Sequence, residues 1–408
     1  MLAVSSGEVL AVNDAAVEAC VPEIDLGSRV RLQGGARGVV VALREMRATI
    51  VPVDAPDGVR PGSVVRVAPN DDYTTLGSAL FGRSCNGSGE PIDGGAPIAG
   101  LRRRARFLAP QTQERVPIDR PLWCGVRAID TLLTFGRGAR IGLLGGAGLG
   151  KTTLLDTIAR GCAAEAVVYA AIGERGREAE RSVARTDDRT TTIVATSDAR
   201  AAERVAAAEF AMAHAVHLRA RGLHVLLLCD SLARYAGALR ELALARGETL
   251  GRGGWPPSVV PALARWLEAA GATRHGSITL VATVLAADAE DPLLDATRAL
   301  LDGHIVLSPV LAGCGRYPAI DVPSSRSRTM SAVASPEHLA AAARVREALA
   351  LLERSADARA LGIHGDDPAL QAAVSAEPAL RALLEQGPEG ADPERSLRIL
   401  AETADRVL

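Results

Sequence analysis

Aromatic residues are scarce, at 3% of the 408 positions. A platform that stacks successive bases needs aromatics beside a basic groove. The N-terminal stretch has neither, so no nucleic-acid partner is expected. The formal net charge of −2 is too small to draw the whole chain onto nucleic acid or anionic lipid. No apolar run approaches the roughly 20 residues of a membrane span. The opening "MLAVSSGEVLAV" lacks a basic n-region and a long apolar core, which reads against a signal peptide. Cys20, Cys85, Cys124, Cys162, Cys229 and Cys314 contain no C-x-x-C pair, and no Cys/His group has zinc spacing. Together these absences predict a cytosolic protein in a reducing compartment.

What is present is an ordinary globular balance, 48% hydrophobic and 23% charged, spread over a length that suggests two or three domains. Residues 1–70 carry short apolar runs ("GEVLAV", "RVRLQG", "GVVVAL", "RATIVPV", "SVVRVAP") separated by Gly, Pro and Asp. That pattern predicts strands in a small closed barrel. Residues 71–120 read as a polar, Pro-rich linker. Its "LRRRAR" could meet a phosphate-rich partner, but a solvated face is the simpler reading. From about 121 to 335, near-continuous apolar strands alternate with helix patterns, which implies a parallel sheet covered on both faces. Residues 336–408 turn helical. The organisation expected is therefore 1–70, 71–335 including the linker, and 336–408.

The chemistry concentrates in "GLLGGAGLGKTTLLDTIARG" (142–161). Gly145-Gly146-Ala147-Gly148-Leu149-Gly150-Lys151-Thr152 fits the phosphate-loop pattern, with Thr153 continuing into the helix. A polyphosphate needs several backbone N–H groups aimed at it, and glycines let the chain wrap that closely. The following helix adds its N-terminal dipole. Lys151 supplies a point charge for the phosphates, and the Thr152 hydroxyl is a ligand suited to Mg2+. Asp230 ends the apolar strand "HVLLLCD". That is a magnesium-side position, and Asp230 could also cap the next helix, since the two roles can coexist. Glu174 ends "AVVYAAIGE" and is a candidate to orient the attacking water, with Arg175 beside it. Alone, this last motif would read as surface charge. His214 and His217 share a helix face without an evident third ligand, so a structural role is expected.

In this order, the pieces resemble a type III secretion ATPase of the flagellar or injectisome export kind, a family similar to the catalytic subunits of rotary ATPases. The resemblance runs over residues 75–335 through "PLWCGVRAIDTLLTFGRGARIGLLGGAGLGKTTLL", "IGERGRE", "VLLLCDSLARYAGALRELALARGE", "PPSVVPALARWLEAAG", "TRALLDGHIVLS" and "YPAIDVPSSRSRTM". It implies an α/β fold: a RecA-like phosphate-loop ATPase core with an N-terminal small β-barrel and a C-terminal helical domain. It implies ATP and Mg2+, and a homohexamer whose sites lie between neighbours. Carried over, Lys151, Glu174, Arg175 and Arg328 are catalytic. Arg328 is the arginine offered to the neighbour's γ-phosphate, and Tyr317 stacks on adenine. The implied partners are a central stalk protein, a stator-like regulator, export chaperone–substrate complexes and the export gate at the cytoplasmic face of the inner membrane. The implied work is protein export with chaperone release and substrate unfolding. Several positions depart from the family pattern. "AADAEDP" and "RSVARTDDRTTTIV" are short. Ala233, Gly237 and Leu239 are unusual, and Pro323 and Arg326 replace apolar residues. A rotary synthase subunit, an RNA translocase and a non-catalytic nucleotide-binding ring subunit are the alternative readings.

Overall fold

A computed structural model describes residues 5–184, 186–285, 292–361 and 367–407. Six short strands come first: β1 (Ser6–Val12), β2 (Val17–Cys20), β3 (Arg29–Leu32), β4 (Arg37–Arg44), β5 (Arg47–Pro52) and β6 (Val64–Val67). They close a barrel in the order β1-β2-β5-β4-β3-β6. Alternate residues point inward, and Val9, Val17, Val30, Val40, Ile50 and Val65 are buried in its interior. The closed barrel matches the sequence reading. β2 is the strand that reading missed, because four residues are too few for an alternation to stand out.

The stretch read as a linker contributes more than a connection. β7 (Tyr73–Thr75) and β9 (Arg102–Arg104) form a two-stranded ribbon, and β8 (Arg83–Asn86) joins the edge of the central sheet. "RSCN" has no periodic pattern. It is held by its surroundings: Cys85 is fully buried, and Arg83 pairs with Asp93 at 2.7 Å. In "LRRRAR", Arg104 lies over the Tyr73 ring at 5.4 Å and 3.4 Å from Asp72. Part of that cluster therefore serves local packing.

After β10 (Pro121–Leu122), α1 (Arg127–Leu132) and β11 (Phe135–Gly136) comes the rest of the central sheet. It is built from β12 (Arg140–Gly145), β13 (Ala166–Glu174), β14 (Thr190–Thr196), β15 (His224–Asp230), β16 (Gly271–Ala272), β17 (Ser277–Leu285), β18 (Gly303–Leu307) and β19 (Ile320–Ser327). The order is β19-β18-β12-β17-β15-β13-β14-β8, with β16 alongside β17. The path is parallel except for β19, which runs antiparallel to β18. β13 is buried until Glu174 and β15 throughout, as strands covered on both faces must be. The helices of this domain are α2 (Lys151–Gly161), α3 (Gly176–Ala184), α4 (Ala201–Ala220), α5 (Leu232–Ala245), α6 (Val259–Glu268), α7 (Pro292–Leu300) and the short α8 (Pro309–Gly313) and α9 (Met330–Val333). Alanines on the buried side of α4 let it lie close to the sheet. The Trp266 indole N–H of α6 donates to the Ala208 carbonyl of α4 at 2.9 Å.

The chain ends in α10 (Pro336–Arg354), α11 (Ala356–Ala360), α12 (Pro368–Ser375), α13 (Glu377–Leu384) and α14 (Pro393–Ala404). Ser335 caps α10, its hydroxyl accepting the His338 N–H at 3.2 Å, and Pro336 occupies the first turn. The short "AADAEDP" segment falls almost wholly outside the described residues. Among the described residues, no helix is long and apolar enough to cross a membrane.

Candidate active site

Three parallel strands, β12, β13 and β15, end at the same edge of the sheet, and their last residues are Gly145, Glu174 and Asp230. Ligands of open α/β sheets bind at this edge, beyond the carboxyl ends of the strands. Between Gly145 and α2 the chain turns through Gly148 and Gly150, at φ values of 78° and 85°. A side chain would strain both positions. Ala147 and Gly148 are exposed at the loop tip, and Gly146, Leu149 and Gly150 are half-buried below them.

Lys151 is the only lysine in a chain with 46 basic residues. Its ammonium donates to the Gly145 carbonyl at 2.8 Å and to the Gly146 carbonyl. The charge thus rests on the loop that would hold phosphates. Burial pushes its pKa down, while Asp230 and Glu174 hold it up. A slender, flexible ammonium suits this place better than the forked guanidinium used everywhere else in the chain.

The Thr152 hydroxyl donates to Asp230 Oδ2 at 3.2 Å, and the Thr283 hydroxyl donates to Asp230 Oδ1 at 2.6 Å. Asp230 is buried, and burial raises its pKa against the pull of both hydroxyls and Lys151. Hydroxyl and carboxylate oxygens side by side are hard donors that fit Mg2+. Among the described residues, no group of three or more His, Cys, Asp or Glu forms a metal cage. Magnesium commonly takes one or two protein ligands and completes its shell with phosphate and water. Asp230 does not cap α5. The next residue does so, with Ser231 Oγ accepting the Arg234 N–H at 3.3 Å. The Asp230 carboxylate instead faces the Thr152 and Thr283 hydroxyls.

Glu174 follows an irregularity in β13, where Gly173 takes a φ of 71° and the register with β14 shifts. Its carboxyl pKa is raised to about 8. Burial is the first cause, followed by a hydrogen bond to Glu178 and the nearby Asp230, with Arg234 opposing. The sequence reading missed Glu178 and Arg234. Glu178 sits one helical turn after Glu174, at the start of α3. The Arg234 stem packs where a Gly173 side chain would stand, 2.8 Å from an ideal Cβ. Both lie in quoted motifs, and a helical spacing could have found the first. Arg175 is exposed at the head of α3.

Beside the loop, a cavity of about 400 Å³ is lined by Leu149, Gly150, Thr153, Tyr317 and the segment Gln386–Pro388. Its surface is mostly apolar, and the half-exposed Tyr317 ring lies against Gly150, as suits a stacked base. The sequence reading missed the far wall. Gln386 donates its backbone N–H to the Tyr317 carbonyl at 3.0 Å. Its side chain accepts the Arg127 N–H at 2.6 Å and donates to the Gly125 carbonyl at 3.0 Å. The Thr157 and Arg160 side chains of α2 donate to the Pro388 carbonyl at 3.3 and 3.0 Å. The C-terminal helices are thereby tied to the phosphate-loop helix.

Arg328 is elsewhere. β19 begins just after Tyr317 at the ligand edge and runs antiparallel to β18, pairing Ser327 with Gly303 at the opposite edge. The β18 residues opposite it, Leu307 back to Gly303, carry the chain about 13 Å along the sheet. Arg328 is exposed there, its N–H donating to the Asp302 carbonyl at 2.9 Å. The structure brings Lys151, Thr152, Glu174, Asp230 and Tyr317 together and leaves Arg328 at the far side.

His214 has a structural setting. It is fully buried, with one ring nitrogen 3.2 Å from the Thr191 hydroxyl and the other accepting the Gly77 N–H at 3.4 Å. Burial drives its pKa down to about 3.

Comparison with known proteins matches this geometry. Residues 125–327 match the nucleotide-binding domain of the ATP synthase alpha/beta family, and residues 334–402 match the EscN ATPase C-terminal domain of type 3 secretion systems. The flagellum-specific ATP synthase of Salmonella typhimurium is 41% identical over 88% of this chain and 84% of that protein. The type 3 secretion system ATPase of Pseudomonas syringae pv. syringae is 38% identical over 98% of this chain and 93% of that protein. The assembled ATPase EscN of enteropathogenic E. coli superposes with a TM-score of 0.93 at 35% identity, covering 98% of this chain and all of that one. EscN has also been solved in complex with its central stalk EscO, and that structure superposes with a TM-score of 0.91. With the phosphate loop, the barrel and the C-terminal helices all accounted for, this chain belongs to the family of type III secretion and flagellum-specific ATPases.

Proposed function

We propose that the protein hydrolyses ATP with magnesium in a homohexameric ring that drives protein export, each site being completed by a neighbouring copy. The observation that carries this reading is the separation along β19, with Tyr317 beside its own phosphate loop and Arg328 at the opposite edge of the sheet, against Asp302. A finger so placed serves another copy's nucleotide.

In the proposed reaction, the loop amides of 145–150 and Lys151 grip the phosphates while Tyr317 packs on the base. Thr152 and Asp230 would hold magnesium, which would supply charge that neutralises the phosphates. Glu174 accepts a hydrogen bond from the attacking water, and to do so it must release its proton. Approach of the neighbour's Arg328 favours that ionisation and adds charge where the transition state develops it. Arg175 lines the mouth of the site. The Gln386–Pro388 clamp passes closure on to the C-terminal helices. The two solved structures of EscN, one assembled and one with its stalk, support a ring around a central stalk. A stator-like regulator, chaperone–substrate complexes and the export gate at the cytoplasmic face of the inner membrane complete the proposed setting.

Purified protein should hydrolyse ATP with a specific activity that rises with protein concentration as it assembles. Lys151→Ala should abolish turnover. Nucleotide binding without turnover in every assembly state would overturn the reading in favour of a non-catalytic ring subunit.

A further inference from the structure

Arg326 departs from the family pattern and has so far been given no role. Beyond an irregular stretch at 322–325, the last residues of β19 alternate cleanly. The Ser327 hydroxyl points inward and donates to the Thr134 carbonyl at 2.8 Å, and the Thr329 hydroxyl accepts the Gly136 N–H at 3.1 Å. Arg326 and Arg328 therefore share the opposite, exposed side. Two residues of strand put their Cα atoms about 6.6 Å apart. Both guanidinium groups can reach one polyphosphate from that spacing.

Their surroundings are strongly positive. Arg326 pairs in register with His304. Burial lowers the pKa of that imidazole, and Arg298, Arg328 and Arg326 lower it further. No ion pair joins Arg298, Arg326 or Arg328 to a carboxylate among the described residues. The nearby Asp302 carboxylate is already taken by Arg140, at 3.0 Å. Like charges gathered without counter-ions repel one another unless an anion arrives. The complementary negative charge is the phosphate chain of a nucleotide held in the cradle formed by the phosphate loop, Lys151, Glu174 and Asp230.

We infer that Arg326 is a second arginine presented in trans, contacting the phosphates of the nucleotide bound by the neighbouring copy alongside Arg328. This rests on the two-copy site proposed above. Arg328 acts on the transition state, whereas Arg326 holds the phosphate chain before and during reaction. Its loss is therefore felt first in KM.

The test is steady-state ATP hydrolysis by assembled Arg326→Ile, with assembly checked by sedimentation. KM for ATP should rise roughly tenfold with kcat within about threefold of native, and Arg326→Lys should recover most of the loss. Equilibrium nucleotide binding to the unassembled protomer should stay native, because the contact comes from another copy. Mixing Arg326→Ile into an excess of Lys151→Ala should restore the native KM, since live phosphate loops then meet intact arginines. That mixture also covers a variant that assembles poorly by itself. A native KM in assembled Arg326→Ile, or a KM still raised in the mixture, overturns the inference. Arg328→Ala separates the two levels. If it turns over normally, the two-copy site itself is wrong. If it is slow while Arg326→Ile is native, only the role of Arg326 falls.

Discussion

The two edges of the central sheet carry opposite electrostatic problems. At the carboxyl edge, Glu174, Glu178 and Asp230 crowd together, and Glu174 keeps its proton up to about pH 8. At the other edge, Arg298, Arg326 and Arg328 crowd around His304, whose pKa burial lowers first and these charges lower further. Lys151 and Arg234 offset the carboxylate edge only in part, and β19 keeps the arginine edge on the other side of the sheet. The contrast explains why a lone protomer should be a poor enzyme. On the proposed mechanism its Glu174 would be held mostly protonated and its Arg328 would have no phosphate to meet. Bringing the arginine edge of one copy to the carboxylate edge of the next relieves both, so assembly and ionisation of Glu174 are linked.

The largest break in this comparison is Arg328→Ala. In assembled protein, kcat should fall on the order of 10³-fold, the usual worth of an arginine finger, while equilibrium ATP binding stays close to native. Normal turnover would mean the arginine edge is not part of the site. A smaller effect tests the carboxylate edge. Glu174 of a lone protomer holds its proton up to about pH 8, and the neighbour's arginines lower that point, so in assembled protein kcat/KM should climb with pH to an inflection below about 8. Glu178→Gln removes the neighbouring negative charge and should shift the inflection to lower pH. A profile that Glu178→Gln leaves in place would detach Glu178 from Glu174. Smallest is Gln386→Ala, which breaks the tie between the base pocket and the C-terminal helices. KM should rise a few-fold with kcat nearly intact, and thermal stability should drop by about 1–2 kcal/mol. A calorimetric scan beside the kinetics would separate the two effects.

Legibility in the sequence followed locality. The phosphate loop could be read because one continuous segment supplies strand, turn, Lys151 and helix, each with its own pattern. Glu174 and Asp230 could be read because each ends an apolar run, and the end of a buried parallel strand is where ligands sit. The closed barrel could be read from alternation in most of its strands. What escaped depended on contacts between distant segments. β8 is four unpatterned residues that become a strand only by pairing with β14. The far wall of the base pocket comes from Gln386–Pro388, over 230 residues beyond the loop, and nothing in "EQGPE" announces a nucleotide. Arg234 matters because Gly173 leaves a space for its stem, which only the folded chain reveals. Arg326 was visible as a departure. Its meaning waited for the Ser327 hydroxyl to fix which way the strand faces.

Lys151 being the chain's single lysine has a practical side. Reagents that attack primary amines would find one internal target, and it sits where the phosphates go. A bound nucleotide should shield it, so labelling of that one side chain counts empty sites in an intact assembly without any engineered tag. A lysine-specific protease likewise has one internal cut to make, where the phosphate loop meets α2, and the rate of that cut is a clock for how often this junction opens.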